Sequence, residues 1–220
     1  MIMKRRNFAA RLLGATVGMT SLGQFALSHA QGAAPVEGKN YVRLSQPLPV
    51  ANDGKVEVIE FFWYGCPHCN DFEPTLDAWA KKLPADVAFR RVPVAFRDEP
   101  FGTHQRIYYA LEAMGQVEAI HRKVYYAIHV DRQRLDKAPD IAAFMAKNGL
   151  DGAKFLEVFN SFAVQTKARQ AKQLSEAYKI DGVPAMGIQG RYYTTGSLAG
   201  SPPQALVVTD YLIQQSRKGN

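Results

Sequence analysis

The feature that most restricts this chain is an abrupt change of periodicity at Gly65, with a cysteine on its far side. Val56–Trp63 is an apolar and aromatic run interrupted by Glu60, which predicts a strand. From about Cys66 to Leu83 the pattern becomes helical, with Phe72, Leu76 and Trp79 on one face. Val87–Phe96 reads as another strand and carries Arg90 and Arg91 side by side. Strand, helix, strand at this spacing predicts a βαβ unit with parallel strands and a right-handed crossover. The only two cysteines of the chain stand in Cys66-Pro67-His68-Cys69, where the first strand hands over to the helix.

The remainder sets the order of the elements. Tyr41–Leu44 reads as a short edge strand, followed by a turn region over Pro47–Gly54. Residues 97–164 carry helical patterns only: Ile107, Leu111 and Met114 share a face, as do Phe155, Phe159 and Phe162, with Gly115 and Pro139 as punctuation. A longer helix is predicted over Phe162–Tyr178. Strand signals return at Ala185–Ile188 and Tyr192–Thr194, around a Gln189-Gly190 turn. A last helix starts near Pro203, where proline suits a first turn, and runs through Leu206, Tyr211 and Ile213. The fold class is therefore α/β. One sheet domain is expected from 39–96 and 165–220, with an all-helical insertion at 97–164.

Composition narrows the function. With 47% hydrophobic and 21% charged residues, the 220-residue chain is of ordinary globular make-up. Its net charge of +7 invites a nucleic-acid reading. Four of those charges, however, are Lys4, Arg5, Arg6 and Arg11, in an N-terminal stretch without acids. An apolar run over Leu12–Leu27 and the small-residue site Ser28-His29-Ala30 follow, which is the pattern of a cleaved export signal over 1–30. The run is shorter and more dilute than the roughly 20 apolar residues of a membrane span. Arg5-Arg6-Asn7-Phe8 also resembles a twin-arginine signal, a match too short to separate the export routes. Without the leader the charge is +3, no basic stripe remains, and no nucleic-acid partner is expected. Residues 31–38 read as a tether. An exported chain works where disulfides form and persist.

A thiolate at a helix start gains from unsatisfied backbone N–H groups and the helix dipole, so Cys66 should titrate low and react near neutral pH. His68 can add a hydrogen bond or partial charge, and Pro67 suits a helix start that needs no donor. Other readings stand beside this one. A structural disulfide would close almost no loop. A zinc site would need two more ligands, and His29, His104, His121 and His129 offer no tight pair. Inert buried cysteines are the third alternative. By pattern alone Glu60 reads as a residue on a solvated face, and Phe61, Phe62, Trp63 and Tyr64 as core. His104, His121 and His129 read as helix-surface or satisfied core residues without a role.

Phe61–Cys69, together with Asp181-Gly182-Val183-Pro184-Ala185-Met186, resembles the DsbA family of periplasmic thiol-disulfide oxidoreductases, over roughly 39–220. The resemblance implies a thioredoxin-like fold with an inserted helical domain. It implies that Cys66 is the exposed nucleophile of a catalytic tetrad with Pro67 and His68, and that Cys69 is its buried partner. Pro184 would be a cis-proline facing the disulfide, and Val183 would offer backbone hydrogen bonds to an extended substrate. Glu60 would be the family's buried acid, reversing the solvated reading. Arg91 falls nearest the position of the family's lysine; arginine keeps its proton, so charge pairing is expected there and proton relay is in doubt. The implied activity is oxidation of newly exported, cysteine-containing proteins by a monomer, with no metal and no cofactor beyond the Cys66–Cys69 disulfide. An inner-membrane, quinone-linked DsbB-like protein would reoxidise it. A reductase or isomerase using the same residues, and a non-catalytic peptide-holding chaperone, are the alternatives. Isomerases of this compartment usually carry an added dimerisation domain, which is not visible here.

Overall fold

The computed structural model describes residues 34–50 and 54–218, so the expected signal segment lies outside the described residues. The chain runs β1 (Val42–Arg43), β2 (Val56–Phe62), α1 (Pro67–Ala80), β3 (Val87–Pro93), then α2 (Phe101–Ala113), α3 (Val117–His129), α4 (Ala138–Lys147), α5 (Gly152–Phe159) and α6 (Phe162–Ala177). It closes with β4 (Ala185–Ile188), β5 (Tyr192–Thr195), the single turn α7 (Gly196–Ala199) and α8 (Pro202–Lys218). The strands form one sheet in the order β1-β5-β4-β2-β3. As expected, β2 and β3 are parallel, while β4 runs antiparallel to β2 and β5 antiparallel to β4. The expected helix over Cys66–Leu83 is shorter at both ends, and the expected strand Val87–Phe96 stops at Pro93.

Each face of the sheet has its own cover. On one, Val56, Val58, Met186 and Ile188 pack with Phe72 and Leu76 of α1 and Leu206, Leu212 and Ile213 of α8. On the other, Ile59, Phe61 and Ala185 join a larger cluster that runs through Ile107, Leu111, Val124, Phe155 and Val164 of the helices between β3 and β4. Because β2 is covered on both faces, every residue in it is buried, including Glu57 and Glu60. A central strand of this kind reads as an unbroken apolar run, so alternation could not tell which way its acids face. Glu57 is matched by Arg90 at 2.9 Å, and its N–H donates to Gln189 Oε1 at 2.8 Å.

The helical segment is closed against the sheet by a close approach at Gly187. A Cβ there would lie 2.8 Å from the Tyr178 ring and 2.9 Å from Phe61. Those two rings pack edge to face, and the Tyr178 hydroxyl accepts the Gly190 N–H at 2.8 Å. Gly187→Ala should therefore displace Tyr178 and destabilise the protein by about 1–3 kcal/mol, read as a lower urea midpoint with unchanged slope.

Candidate active site

Strand β2 ends at Phe62, and after four connecting residues the chain enters α1 at Pro67. Cys66 is the N-cap of that helix, with extended backbone (φ −86°, ψ 118°); its carbonyl accepts the Asn70 N–H at 3.1 Å, and Pro67 begins the first turn. No side chain caps this end. The open N–H groups are thus left to the Cys66 sulfur. Gly65 is required by packing, since the Trp63 indole lies where a Cβ would stand. Trp63 itself stacks on Phe101 at 4.1 Å.

Both cysteines are free thiols. Cys69 is fully covered and Cys66 is 8% exposed. The expected exposed nucleophile is therefore largely buried. The loop before β4 folds over it and places the Val183 carbonyl 3.4 Å from Sγ, where it accepts the thiol hydrogen. The peptide bond Val183–Pro184 is cis. Pro67 and His68 are exposed, and His68 lines a cleft of about 680 Å³ together with Val183, Pro184, Tyr193, Thr195 and Pro202. The structure thus brings Cys66, Cys69, Pro67, His68, Val183 and Pro184 to one place.

The two thiols have opposite acidities. Cys66 is drawn down to about 6, first by a hydrogen bond from the Cys69 thiol; the N–H groups of Cys69 and His68 and the charge of His68 add to this, against the effect of burial. Burial pushes Cys69 well up, and its proximity to Cys66 and Glu60 adds to the rise. One thiolate at a time is the favoured state, and it sits on Cys66.

Behind the dithiol lies a buried charge cluster. Glu60 is fully buried, in register with Arg91 on β3, and its Oε2 is 3.2 Å from Arg91 Nε. Arg91 Nη2 makes the tighter contacts, at 2.5 Å to both Glu73 and Asp77 of α1. One guanidinium therefore serves three carboxylates. Glu60 receives least: burial and then the neighbouring Glu73 push it well up, and Arg91 only partly opposes them. Burial also acts on Glu73, but His121 and Arg91 outweigh it and hold this carboxyl below its ordinary value.

The sequence did not single out Glu73 or Asp77, yet Cys69, Glu73 and Asp77 are spaced four apart and so share a face of α1. That spacing was the available signal. For the histidines, the structure decides between the two readings left open, surface or core. His104 and His121 are core residues, and His129 Nε2 sits 2.8 Å from the Tyr64 carbonyl. Nothing local to those helices could reveal this, because the partner lies on another element. Among the described residues, no group of three or more His, Cys, Asp or Glu side chains is placed to hold a metal ion.

Comparison with known proteins identifies the family and the fold. The sequence model of the DSBA-like thioredoxin domain matches residues 101–211. The thiol:disulfide interchange protein DsbA of Azotobacter vinelandii is 44% identical over 94% of this chain and 97% of its own length. Its counterpart from Burkholderia cepacia is 45% identical over 90% and 93%. The chain belongs to the DsbA family. The crystal structure of Pseudomonas aeruginosa DsbA superposes with a TM-score of 0.80 at 43% identity, covering 84% of this chain and 95% of that one. The fold is accordingly the thioredoxin-like one of the DsbA family, with the long helical stretch between β3 and β4.

Removing the Cys69 thiol takes away the first of the influences on Cys66 but leaves the backbone N–H groups in place. In Cys69→Ala, the thiolate absorbance near 240 nm should titrate well above pH 6 yet still below the ordinary thiol value of 9.0. An unmoved midpoint would show that the Cys69 thiol is not the main donor.

Proposed function

We propose that this protein is a periplasmic dithiol oxidase that passes its Cys66–Cys69 disulfide to newly exported proteins. The observation that carries the reading is the position of Cys66 at the uncapped N-terminus of α1, three residues before the buried Cys69, a placement that draws the Cys66 thiol down to about 6. A protein that stabilises one thiolate in its reduced form has a good leaving group and a readily reduced disulfide. Membership of a family of thiol:disulfide interchange proteins points the same way.

The reaction follows from the arrangement. A substrate thiolate attacks Cys66 Sγ of the oxidised protein, and the Cys66–Cys69 bond breaks with its electron pair on Cys69 Sγ. Cys69 takes up a proton, as its raised pKa favours. A second substrate thiolate then attacks the substrate sulfur of the mixed disulfide and releases Cys66 as the thiolate. Two electrons have passed from the substrate dithiol to the protein, and the substrate has gained a disulfide. The cleft beside His68, Val183 and Pro184 is the place for an extended substrate segment, with Val183 as the backbone partner. Glu60 stands behind Cys69 as the acid able to exchange its proton, and Arg91 supplies charge support. No cofactor beyond the cysteine pair is needed. Residues 97–164 act as the inserted domain that backs the site. A quinone-linked, DsbB-like membrane protein would restore the disulfide, the leader over 1–30 would direct export, and the working unit is a monomer.

Two measurements separate this reading from its alternatives. Equilibration with glutathione should leave the Cys66–Cys69 pair more reducible than the glutathione couple; a strongly reducing pair would point to a reductase. Cys66→Ser should abolish substrate oxidation, whereas a peptide-holding chaperone would retain its activity.

A linkage argument gives a further prediction. The depressed Cys66 value stabilises the folded dithiol fully above the unfolded thiol value of 9.0, and this contribution is lost as pH falls through about 6. The oxidised protein has no thiols, so the pH dependence of the difference between the two forms isolates this contribution. At pH 7 the reduced protein should be the more stable by roughly 1 kcal/mol, melting a few degrees higher. The gap should vanish near pH 5; an oxidised form that melts higher at pH 7 would refute the oxidase reading.

A further inference from the structure

His121 of α3 is buried between two polar groups from other elements. Its Nδ1 lies 2.7 Å from the Tyr64 hydroxyl, two residues before Cys66, and its Nε2 lies 3.3 Å from Glu73 Oε1. Tyr64 is completely buried, and His121 is 4% exposed. The groups facing the imidazole are Tyr64 from the β2–α1 connection, Glu73 and Asp77 from α1, Arg91 from β3, Tyr108 from α2 at 5.8 Å between rings, and Tyr125 from α3 itself at 5.3 Å. Phe62 of β2 closes the remaining side.

These contacts settle the tautomer. An ionised carboxylate can only accept, so the imidazole hydrogen belongs on Nε2, towards Glu73. Nδ1 then accepts, and the Tyr64 hydroxyl donates to it. With a neutral imidazole, the Tyr64 O–H donates to Nδ1 and the Nε2–H faces Glu73 Oε1 at 3.3 Å, a contact looser than a hydrogen bond that needs no additional buried charge. Burial favours that neutral form. Without His121, Glu73 would have Arg91 as its remaining partner, in competition with Asp77 and Glu60.

We propose that His121, oriented by Tyr64, is a positioning residue that keeps Glu73 as the carboxylate occupying Arg91 and thereby leaves Glu60 as the uncharged, proton-carrying acid behind Cys69. The inference deepens the reading of this site as a thiol-disulfide exchange centre. One cation faces two buried carboxylates, Glu60 and Glu73, and a third, Asp77, that is 34% exposed, so a proton on one of the buried pair relieves the excess negative charge. The geometry selects which. Glu73 Oε1 accepts a hydrogen bond from Arg91 Nη2 at 2.5 Å and also has His121 Nε2 within 3.3 Å, whereas Glu60 has only the 3.2 Å contact of Oε2 with Arg91 Nε, outside hydrogen-bond geometry, and no partner at Oε1.

Infrared difference spectra of the resting dithiol protein test this directly, because a protonated carboxyl has its own C=O band. At pH 7 the unmodified protein should show one buried carboxyl band, lost in Glu60→Gln and retained in Glu73→Gln. In His121→Leu a band sensitive to Glu73→Gln should appear, while His121→Gln, which keeps a donor towards Glu73, should retain the original pattern. Tyr64→Phe removes only the orienting hydroxyl and should give the Glu73 band in part; it also serves if His121→Leu fails to fold. Absence of any Glu73-sensitive band in both His121→Leu and Tyr64→Phe, or a native band that does not depend on Glu60, would overturn the proposal. No substrate is present in these spectra, so the outcome is independent of whether the protein oxidises or reduces its partners.

Discussion

Coverage of β2 on both faces sets the terms for everything at its carboxyl end. Once α1 and α8 lie on one face and the helical segment on the other, a carboxylate in that strand cannot reach water. Glu60 must therefore be paired, protonated, or both. The same coverage anchors the strand firmly enough that the turn after Phe62 can present Cys66 at an uncapped helix start. Placement of the sulfur and burial of the acid are thus two results of one packing arrangement.

The two thiols differ because this placement treats them differently. Cys66 receives the free N–H groups of the first turn and the hydrogen of its neighbour. Cys69, one turn further along, faces the sheet and the charge cluster, where ionisation is disfavoured. The Val183 carbonyl covers Cys66 without neutralising it, so the sulfur is shielded beneath a residue that lines the cleft. An asymmetric pair of this kind suits disulfide donation, since Cys69 takes up a proton once the pair is opened and Cys66 leaves the mixed disulfide as a stable thiolate.

The cluster of Glu60, Glu73, Asp77, Arg91 and His121 shows how a buried network can assign distinct protonation states to chemically identical groups. Arg91 stands where the family resemblance suggested a lysine. A guanidinium remains charged and spreads its donors over a fork, which suits two carboxylates of α1 at once. Its engagement there at 2.5 Å, against 3.2 Å to Glu60, creates the inequality on which the proton's location depends.

Much of this protein was written in local sequence. The strand over Val56–Phe62, the helix from Pro67, the strands at Ala185–Ile188 and Tyr192–Thr195 and the Cys-Pro-His-Cys junction follow from periodicity, turn residues and motif, all of which act over a few residues. What local sequence could not determine is who faces whom across elements. Tyr64 meets His121 57 residues away, and Cys66 meets Val183 at a separation of 117. A strand's alternation also says nothing about an acid when both faces are covered, so the pattern of Glu60 suggested solvent where the fold supplied a core. The chemistry-bearing residue types were determined by sequence alone. Their acidities were decided by tertiary structure, because acidity depends on burial and on neighbouring charge, and both are set only when distant elements pack.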